Sequence, residues 1–346
     1  MGTKSRQRWL HRLLWAGSVL LALLAAVWGG MALQAQMHPH AMAWVWMGLW
    51  GIAWLAAGAS AWRLKRLRWL WTAGAVLVLV IGTWWSTIEP QAQRAWAADV
   101  AHLVRMEADK DHPSVVHLRQ VRNFDWRSET DFTPRWESRS YDLSALASVD
   151  VALSYWMGPA IAHTLVSFGF ADGQHLVFSI EIRKEVHEQF DALAGFFKQY
   201  EMALVAADEH DILAVRTNVR GENVHLYRVN MSQASMRDLF MAYAQQASAL
   251  HAAPRFYHTL TANCTTIVWQ LARRIGQTWP LDWRLLASGY LPEYLRDAGA
   301  LASDAPIEVQ RQQGHIDARA QSWQRLEGMS DAQASADFSR HIRQGS

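Results

Sequence analysis

The first 88 residues read as three long apolar runs. Leu13–Met37, Ala41–Trp62 and Trp69–Ile88 contain no Asp, Glu, Lys or Arg, and roughly 20 apolar residues let a helix cross the hydrocarbon core of a bilayer. The pattern predicts three transmembrane helices over 13–88 behind a short N-terminus, 1–12. From Glu89 to about Asp111 the chain is polar and Ala-rich, which predicts a helical connector over 89–120. A domain over 121–301 follows, and in it Ile161–Phe170 and Gln174–Arg183 are β-rich runs around Ala171-Asp172-Gly173, a hairpin signature. Further β-type runs lie at Ile212–Asn218 and Val224–Val229. Two helix starts stand out: Ser232 ahead of Met236, Leu239, Phe240 and Tyr243, and Asn263 ahead of Ile267, Val268, Leu271 and Ile275. Arg273, Arg274 and Gly276 suit the end of the second helix. Residues 302–346 form a polar helical tail whose Phe338 and Ile342, one turn apart, make a small docking face.

Charge sharpens this picture. The first 88 residues hold eight basic side chains and no acidic one, and twelve of the twenty Trp. The rest carries the other 25 Lys and Arg against all 31 Asp and Glu. A basic, acid-free front on a mildly acidic back describes a membrane anchor with a globular domain. It excludes a soluble cytoplasmic enzyme and a disordered chain, and disfavours nucleic acid as a partner. Lys4 to Arg12 precede the first span, and Arg63, Lys65, Arg66 and Arg68 fill the loop between the second and third. The positive-inside rule puts both in the cytoplasm, so three spans deliver the domain to the far side. A cleaved signal peptide is the competing reading of the first span, through Ala32-Leu33-Gln34-Ala35. It leaves the domain in the same place.

The single cysteine, Cys264, excludes an intramolecular disulfide and a cysteine-rich metal cluster. It falls at the first position of the helix that Asn263 caps, where the dipole and free N–H groups favour a thiolate and could hold an oxyanion. A nucleophilic thiol needs a base and a group to orient it. If Ala171-Asp172-Gly173 is a three-residue loop, residues whose numbers sum to 344 face each other, and His163 faces Glu181. That makes Cys264, His163 and Glu181 a candidate triad. The alternatives are a cysteine that is an inert buried hydrophobe, or a base drawn from His258, His175 or His187. No nucleotide-binding glycine loop, serine elbow or paired-histidine metal motif occurs, so no cofactor and no metal are expected.

Several ordered motifs carry a resemblance. His163-Thr164-Leu165-Val166-Ser167-Phe168-Gly169-Phe170, Phe178-Ser179-Ile180-Glu181-Ile182-Arg183-Lys184-Glu185 and Asn263-Cys264-Thr265-Thr266 resemble segments of the DUF4105 family, the periplasmic domain of the bacterial lipoprotein N-acyltransferase Lnb. Phe124-Asp125-Trp126-Arg127 and Ser288-Gly289-Tyr290-Leu291-Pro292-Glu293-Tyr294-Leu295 resemble it too, and the likeness spans Val121 to Leu301. The resemblance implies an α+β, papain-like fold, permuted so that the histidine strand precedes the cysteine helix, on the extracytoplasmic side of the bacterial inner membrane. It implies Cys264 as nucleophile and His163 as base; Asn263, Thr265 and Ser167 are taken beside them as candidates for binding substrate or oxyanion. The implied reaction takes an acyl chain from a membrane phospholipid onto Cys264 and passes it to the terminal amine of a lipoprotein. The family enzyme arranges its membrane segments differently, so the chemistry transfers better than the acceptor. A periplasmic cysteine hydrolase of lipid, peptide or amide, and a non-catalytic envelope module with a structural Cys264, remain the other readings.

Overall fold

The computed structural model describes residues 3–37, 40–276 and 279–344. The chain divides into two compact units, Met1–Pro90 with Asp191–Gln199, and Gln91–Phe190 with Tyr200–Ser346.

In the first unit, α1 (Thr3–Gln36), α2 (His40–Arg63) and α3 (Leu67–Ser86) follow the three apolar runs. All three are long and apolar enough to cross a membrane. Leu20, Leu24, Leu55 and Leu79 point outward and are more than half exposed, an arrangement that suits an apolar solvent. The inner contacts pair Trp with small residues. The Trp50 indole donates to the Ala26 carbonyl at 2.7 Å, and a Cβ on Gly29 would come within 2.4 Å of the Trp50 ring. Only glycine allows α1 and α2 so close an approach there. The segment Asp191–Gln199 joins these helices from far along the chain. Its Lys198 donates to the Trp85 and Ile88 carbonyls at 2.9 and 3.1 Å, satisfying groups that the end of α3 leaves open. Phe197 packs on the rings of Trp28 and Trp85.

The second unit is an α+β domain. Its strands are β1 (Arg105–Ala108), β2 (Val115–Arg122), β3 (Asp125–Trp126), β4 (Phe132–Thr133), β5 (Trp136–Asp142), β6 (Leu146–Tyr155), β7 (Ala162–Phe170), β8 (His175–Arg183), β9 (Glu201–Ala207) and β10 (Asn223–Arg228). Eight of them form one mixed sheet in the order β1-β2-β9-β8-β7-β6-β10, with β5 also on β2 and only β2–β9 parallel. The β7–β8 hairpin has the three-residue turn, its pairs running from Gly169–His175 to Leu165–Ser179. The helices are α4 (Glu209–Ile212), α5 (Gln233–Ala252), α6 (Cys264–Arg274), α7 (Leu291–Asp297), α8 (Ile307–Gly314), α9 (Asp317–Ser322) and α10 (Asp331–His341). Ser232 caps α5 by accepting from the Ser235 N–H, and α5 sets Phe240 and Tyr243 against Phe168 and Phe178 of the sheet.

Three expectations change. The connector 89–120 is not a helix: it holds one 3-10 turn, Ala98–Val100, and then β1 and most of β2. Val100, Leu103 and Val104 repeat at helical spacing, yet they are buried in the core of the sheet domain, with the Val104 N–H bonded to Leu204 of β9. Tertiary pairing overrides a weak local preference here. The run Ile212–Asn218 is not a strand but the end of α4 and a π-helical turn, Val215–Val219. Short apolar runs fit either structure when fully buried. The tail 302–346 folds into α8, α9 and α10 as part of the second unit, where Phe338 and Ile342 are fully buried and Arg343 pairs with Asp150 and Glu209.

Candidate active site

Asn263 builds the start of α6. Its side-chain carbonyl accepts from the N–H groups of Thr265 and Thr266 at 3.0 and 2.8 Å, while the Thr266 hydroxyl accepts from the Asn263 N–H at 3.0 Å. This reciprocal cap fixes Cys264 as the first helical residue. It also occupies two N–H groups that an anion at the helix end would otherwise use. Asn263 is therefore a positioning residue here, and its amide nitrogen is tied to the Thr259 carbonyl at 2.6 Å.

The β7–β8 ladder brings the other two members together. Past its last pair, Leu165–Ser179, the side chains of His163 and Glu181 meet, Nε2 to Oε1, at 3.2 Å. Ser179 lies between them: its hydroxyl donates to Glu181 at 2.7 Å and is 2.8 Å from His163 Nε2. Arg216 donates to the same Glu181 oxygen at 2.9 Å. Next to His163 in β7, the Thr164 N–H donates to the Cys264 sulfur at 3.5 Å. Thr265 Oγ1 is 3.9 Å from the sulfur and 2.8 Å from Thr164 Oγ1.

These contacts decide the charges. Burial opposes every ion, but the neighbours outweigh it. Against burial, Glu181 and Cys264 raise His163 to about 9. Burial pushes the Cys264 thiol up, yet the His163 charge, its hydrogen bond, the Thr164 N–H and the Thr265 hydroxyl hold it below its ordinary value. Glu181 is likewise held well below the usual carboxylate range, against burial, by His163 and Arg216. The arrangement favours charge on all three groups, thiolate, imidazolium and carboxylate, with Arg216 beside Glu181.

Ser167 does not join the site. It lies four residues along β7, about 13 Å at the usual rise of a strand, and its hydroxyl donates to Glu209 at 2.6 Å. The rival bases are placed elsewhere. His258 accepts from the N–H groups of Leu260 and Thr261 within its own turn, His175 bonds Gly173 at the hairpin tip, and His187 is exposed beyond β8. Sequence reasoning missed Ser179, Arg216 and Tyr257. Ser179 was within reach, because it shares the strand face of Glu181 two residues on. Arg216 comes from the unforeseen π-turn, and Tyr257, whose hydroxyl is pushed up by burial and by the nearby Cys264 and Glu181, carries no local signal. Among the described residues, no group of three His, Cys, Asp or Glu is arranged to hold a metal ion.

Residues 132–289 match the family model of the Lnb N-terminal periplasmic domain. No curated protein and no solved structure matches the chain. The matched span contains His163, Ser179, Glu181, Arg216 and Cys264, and three helices able to span a membrane precede it. The protein is membrane-anchored and carries a periplasmic domain. Over residues 132–289 the chain is therefore similar to the Lnb N-terminal periplasmic domain family.

Proposed function

We propose that this protein is a cysteine-dependent acyltransferase of the bacterial inner membrane, with its N-terminus in the cytoplasm. It takes an acyl chain from a phospholipid and passes it to an amine, that of the N-terminal cysteine of a lipoprotein. The observation that carries the reading is Cys264 at the N-terminus of α6, its sulfur on the Thr164 N–H, next in the chain to the His163 that pairs with Glu181. On this reading the domain is papain-like, with the histidine strand ahead of the cysteine helix.

The Cys264 thiolate attacks the ester carbonyl carbon, and a C–S bond forms as the ester C–O bond breaks. The leaving lysophospholipid oxygen takes the proton of the His163 imidazolium. Neutral His163 then accepts a proton from the incoming amine as its nitrogen attacks the thioester. A C–N bond forms, the C–S bond breaks, and the thiolate–imidazolium pair is restored. Glu181 keeps the imidazole oriented and stabilises its cation. With two first-turn N–H groups held by Asn263, the Cys264 N–H is the one at the helix end nearest a developing oxyanion.

The test is phospholipid with a labelled acyl chain, incubated with the full chain and followed by intact mass. A hydroxylamine-sensitive acyl group on Cys264, absent from Cys264→Ala and His163→Ala, supports the thioester. A diacylglyceryl lipopeptide with a free terminal amine should then discharge it as the amide. Discharge to water alone would make the protein a hydrolase, and no adduct at all would leave Cys264 a structural residue.

A further inference from the structure

A cavity that the reaction steps leave unused lies where β1, β2 and β9 meet the end of α5, wholly within the second unit. Its volume is about 470 Å³, within the roughly 300–1,000 Å³ usual for small-molecule sites. Leu103, Met202 and Leu250 give it a buried apolar floor, while Arg105, Arg119 and His102 stand exposed at its rim. The floor also holds one ion of each sign. Arg183 spends its donors on the backbone carbonyls of Val100, Ala92 and Ala101. Glu201 accepts from the Gln91 N–H at 2.8 Å, with Arg94 3.3 Å away. These floor charges largely cancel, so the rim arginines set the charge that a ligand meets.

The rim is built against local preference. Arg105 and Arg119 face each other across the β1–β2 ladder, where like charges repel. Arg119 pairs with Glu107 at 3.6 Å, but the two side chains are 62% and 61% exposed, and such a pair is worth little. Arg105 has no acidic partner among the described residues. Gln120 adopts φ +64°, which a residue with a side chain seldom does, and the pairing of β2 with β5 slips there. In a regular strand Arg119 and Gln120 would point to opposite faces, whereas the bulge sets both in the cavity wall. Two facing arginines with amide and imidazole donors beside them exceed what the two oxygens of a carboxylate accept. They suit the several oxygens of a phosphate, and the apolar floor suits the carbon side of its ester. Gln91, also in the wall, comes five residues after Ser86 at the end of α3, which favours a lipid headgroup over a soluble ester as the source.

We infer that this cavity binds a phosphate ester, with Arg105 and Arg119 as its cations and Gln120 and His102 as further donors. The inference stands apart from the acyl-transfer reading. It is tested by titration calorimetry on the full chain in nonionic detergent, with glycerol phosphate and with a short-chain diether of phosphatidylglycerol, which has no acyl ester for a thiol to cleave. The combined Arg105→Gln and Arg119→Gln variant should bind about tenfold or more weakly than the parent protein, and the parent's affinity should fall as salt rises. Arg296→Gln combined with Arg340→Gln removes the same charge from elsewhere on the surface and should bind as the parent does. Melting temperatures near that of the parent establish that both variants fold. Tighter binding of the diether assigns the site to a lipid headgroup, and equal or tighter binding of glycerol phosphate assigns it to a soluble ester. Either probe failing to bind the parent only where the other binds keeps the site and names its source. No binding of either probe, equal affinities in all three proteins, or equal losses in the two variants would overturn it. So would equally tight binding of the same diether without its phosphate.

Discussion

His163 Nε2 stands 3.2 Å from Glu181 Oε1, each on its own strand beyond the last β7–β8 pair. Both groups are largely shielded from water, so each relies on charged neighbours to stay ionised, Glu181 on His163 and Arg216, His163 on Glu181 and Cys264. That relationship, continued through His163 to Cys264, sets the first prediction. With the thiol held below its ordinary value by the His163 cation, iodoacetamide should alkylate Cys264 at pH 7 faster than a free thiol of pKa about 8.5. In His163→Ala only the Thr164 N–H and the Thr265 hydroxyl still oppose burial, so the thiol pKa rises. The rate at pH 7 should then fall at least about tenfold and recover only as pH rises. Superimposable pH–rate profiles for the two proteins would refute the ion pair.

The same pair makes stability depend on pH. His163 is raised from 6.5 to about 9, so the folded state binds its proton more tightly than the unfolded chain does. This contribution is fully present below about pH 6.5 and is lost as pH rises through about 9. The melting temperature of the parent protein minus that of His163→Gln should shrink across that window. A constant difference from pH 6 to 10 would show that His163 gains no proton affinity on folding.

Arg216 bonds Glu181 at 2.9 Å, sits 3.4 Å from Glu222, and is 6% exposed. Arg216→Met takes a shared cation from two shielded carboxylates, leaving Glu181 only His163 and Glu222 only Arg220, and should cost up to about 3 kcal/mol. Arg216 also lowers His163 by its positive charge. Removing it should move the alkaline limb of Cys264 acylation to higher pH, a shift that mere loosening of the fold would not produce. A lowered melting point with the limb unmoved would assign Arg216 to stability alone.

How much of this was legible in the chain depended on where local rules bind. Charge-free runs gave the three spans because a bilayer of fixed thickness leaves a helix little choice of length. A three-residue turn fixes hairpin register, and that register alone brought His163 to Glu181. The cap at Asn263 was equally local. Arg216 was out of reach, since a π-turn has no sequence period and its partner lies 35 residues away. Val100, Leu103 and Val104 misled for a related reason. Their spacing suits a helix, but the stretch makes only a short 3-10 turn before the Val104 N–H bonds Leu204 of β9.

The tail supplies a fourth test. Arg343 reaches Glu209 at 2.6 Å and Asp150 at 2.8 Å, and both carboxylates are almost wholly buried. The carboxyl of Glu209 is held far below its usual range, against burial, chiefly by Arg343. Arg343→Met should destabilise the domain by about 3 kcal/mol or more, and should do so least at acid pH, where protonation relieves the stranded carboxylates. Thermal melts at pH 4.5 and 7.5 read the difference. Equal losses at the two values would mean that Arg343 acts by packing and not by charge.

Asn263 separates helix capping from chemistry. Asn263→Ala frees the Thr265 and Thr266 N–H groups and loses the cap on α6, at a cost of about 1 kcal/mol, or about 2–4 °C in melting temperature for a domain of this size. Asn263→Asp keeps an acceptor for both N–H groups and should preserve the melting point. It also adds a negative charge beside the thiolate, which raises the thiol pKa and slows alkylation at pH 7. The two variants should therefore part company: Ala weakens the fold with a modest effect on reactivity, and Asp keeps the fold with a slower thiol. If both lowered the melting point equally, the Asn263 amide bond to Thr259, which neither Ala nor Asp can make, would be the contact that matters.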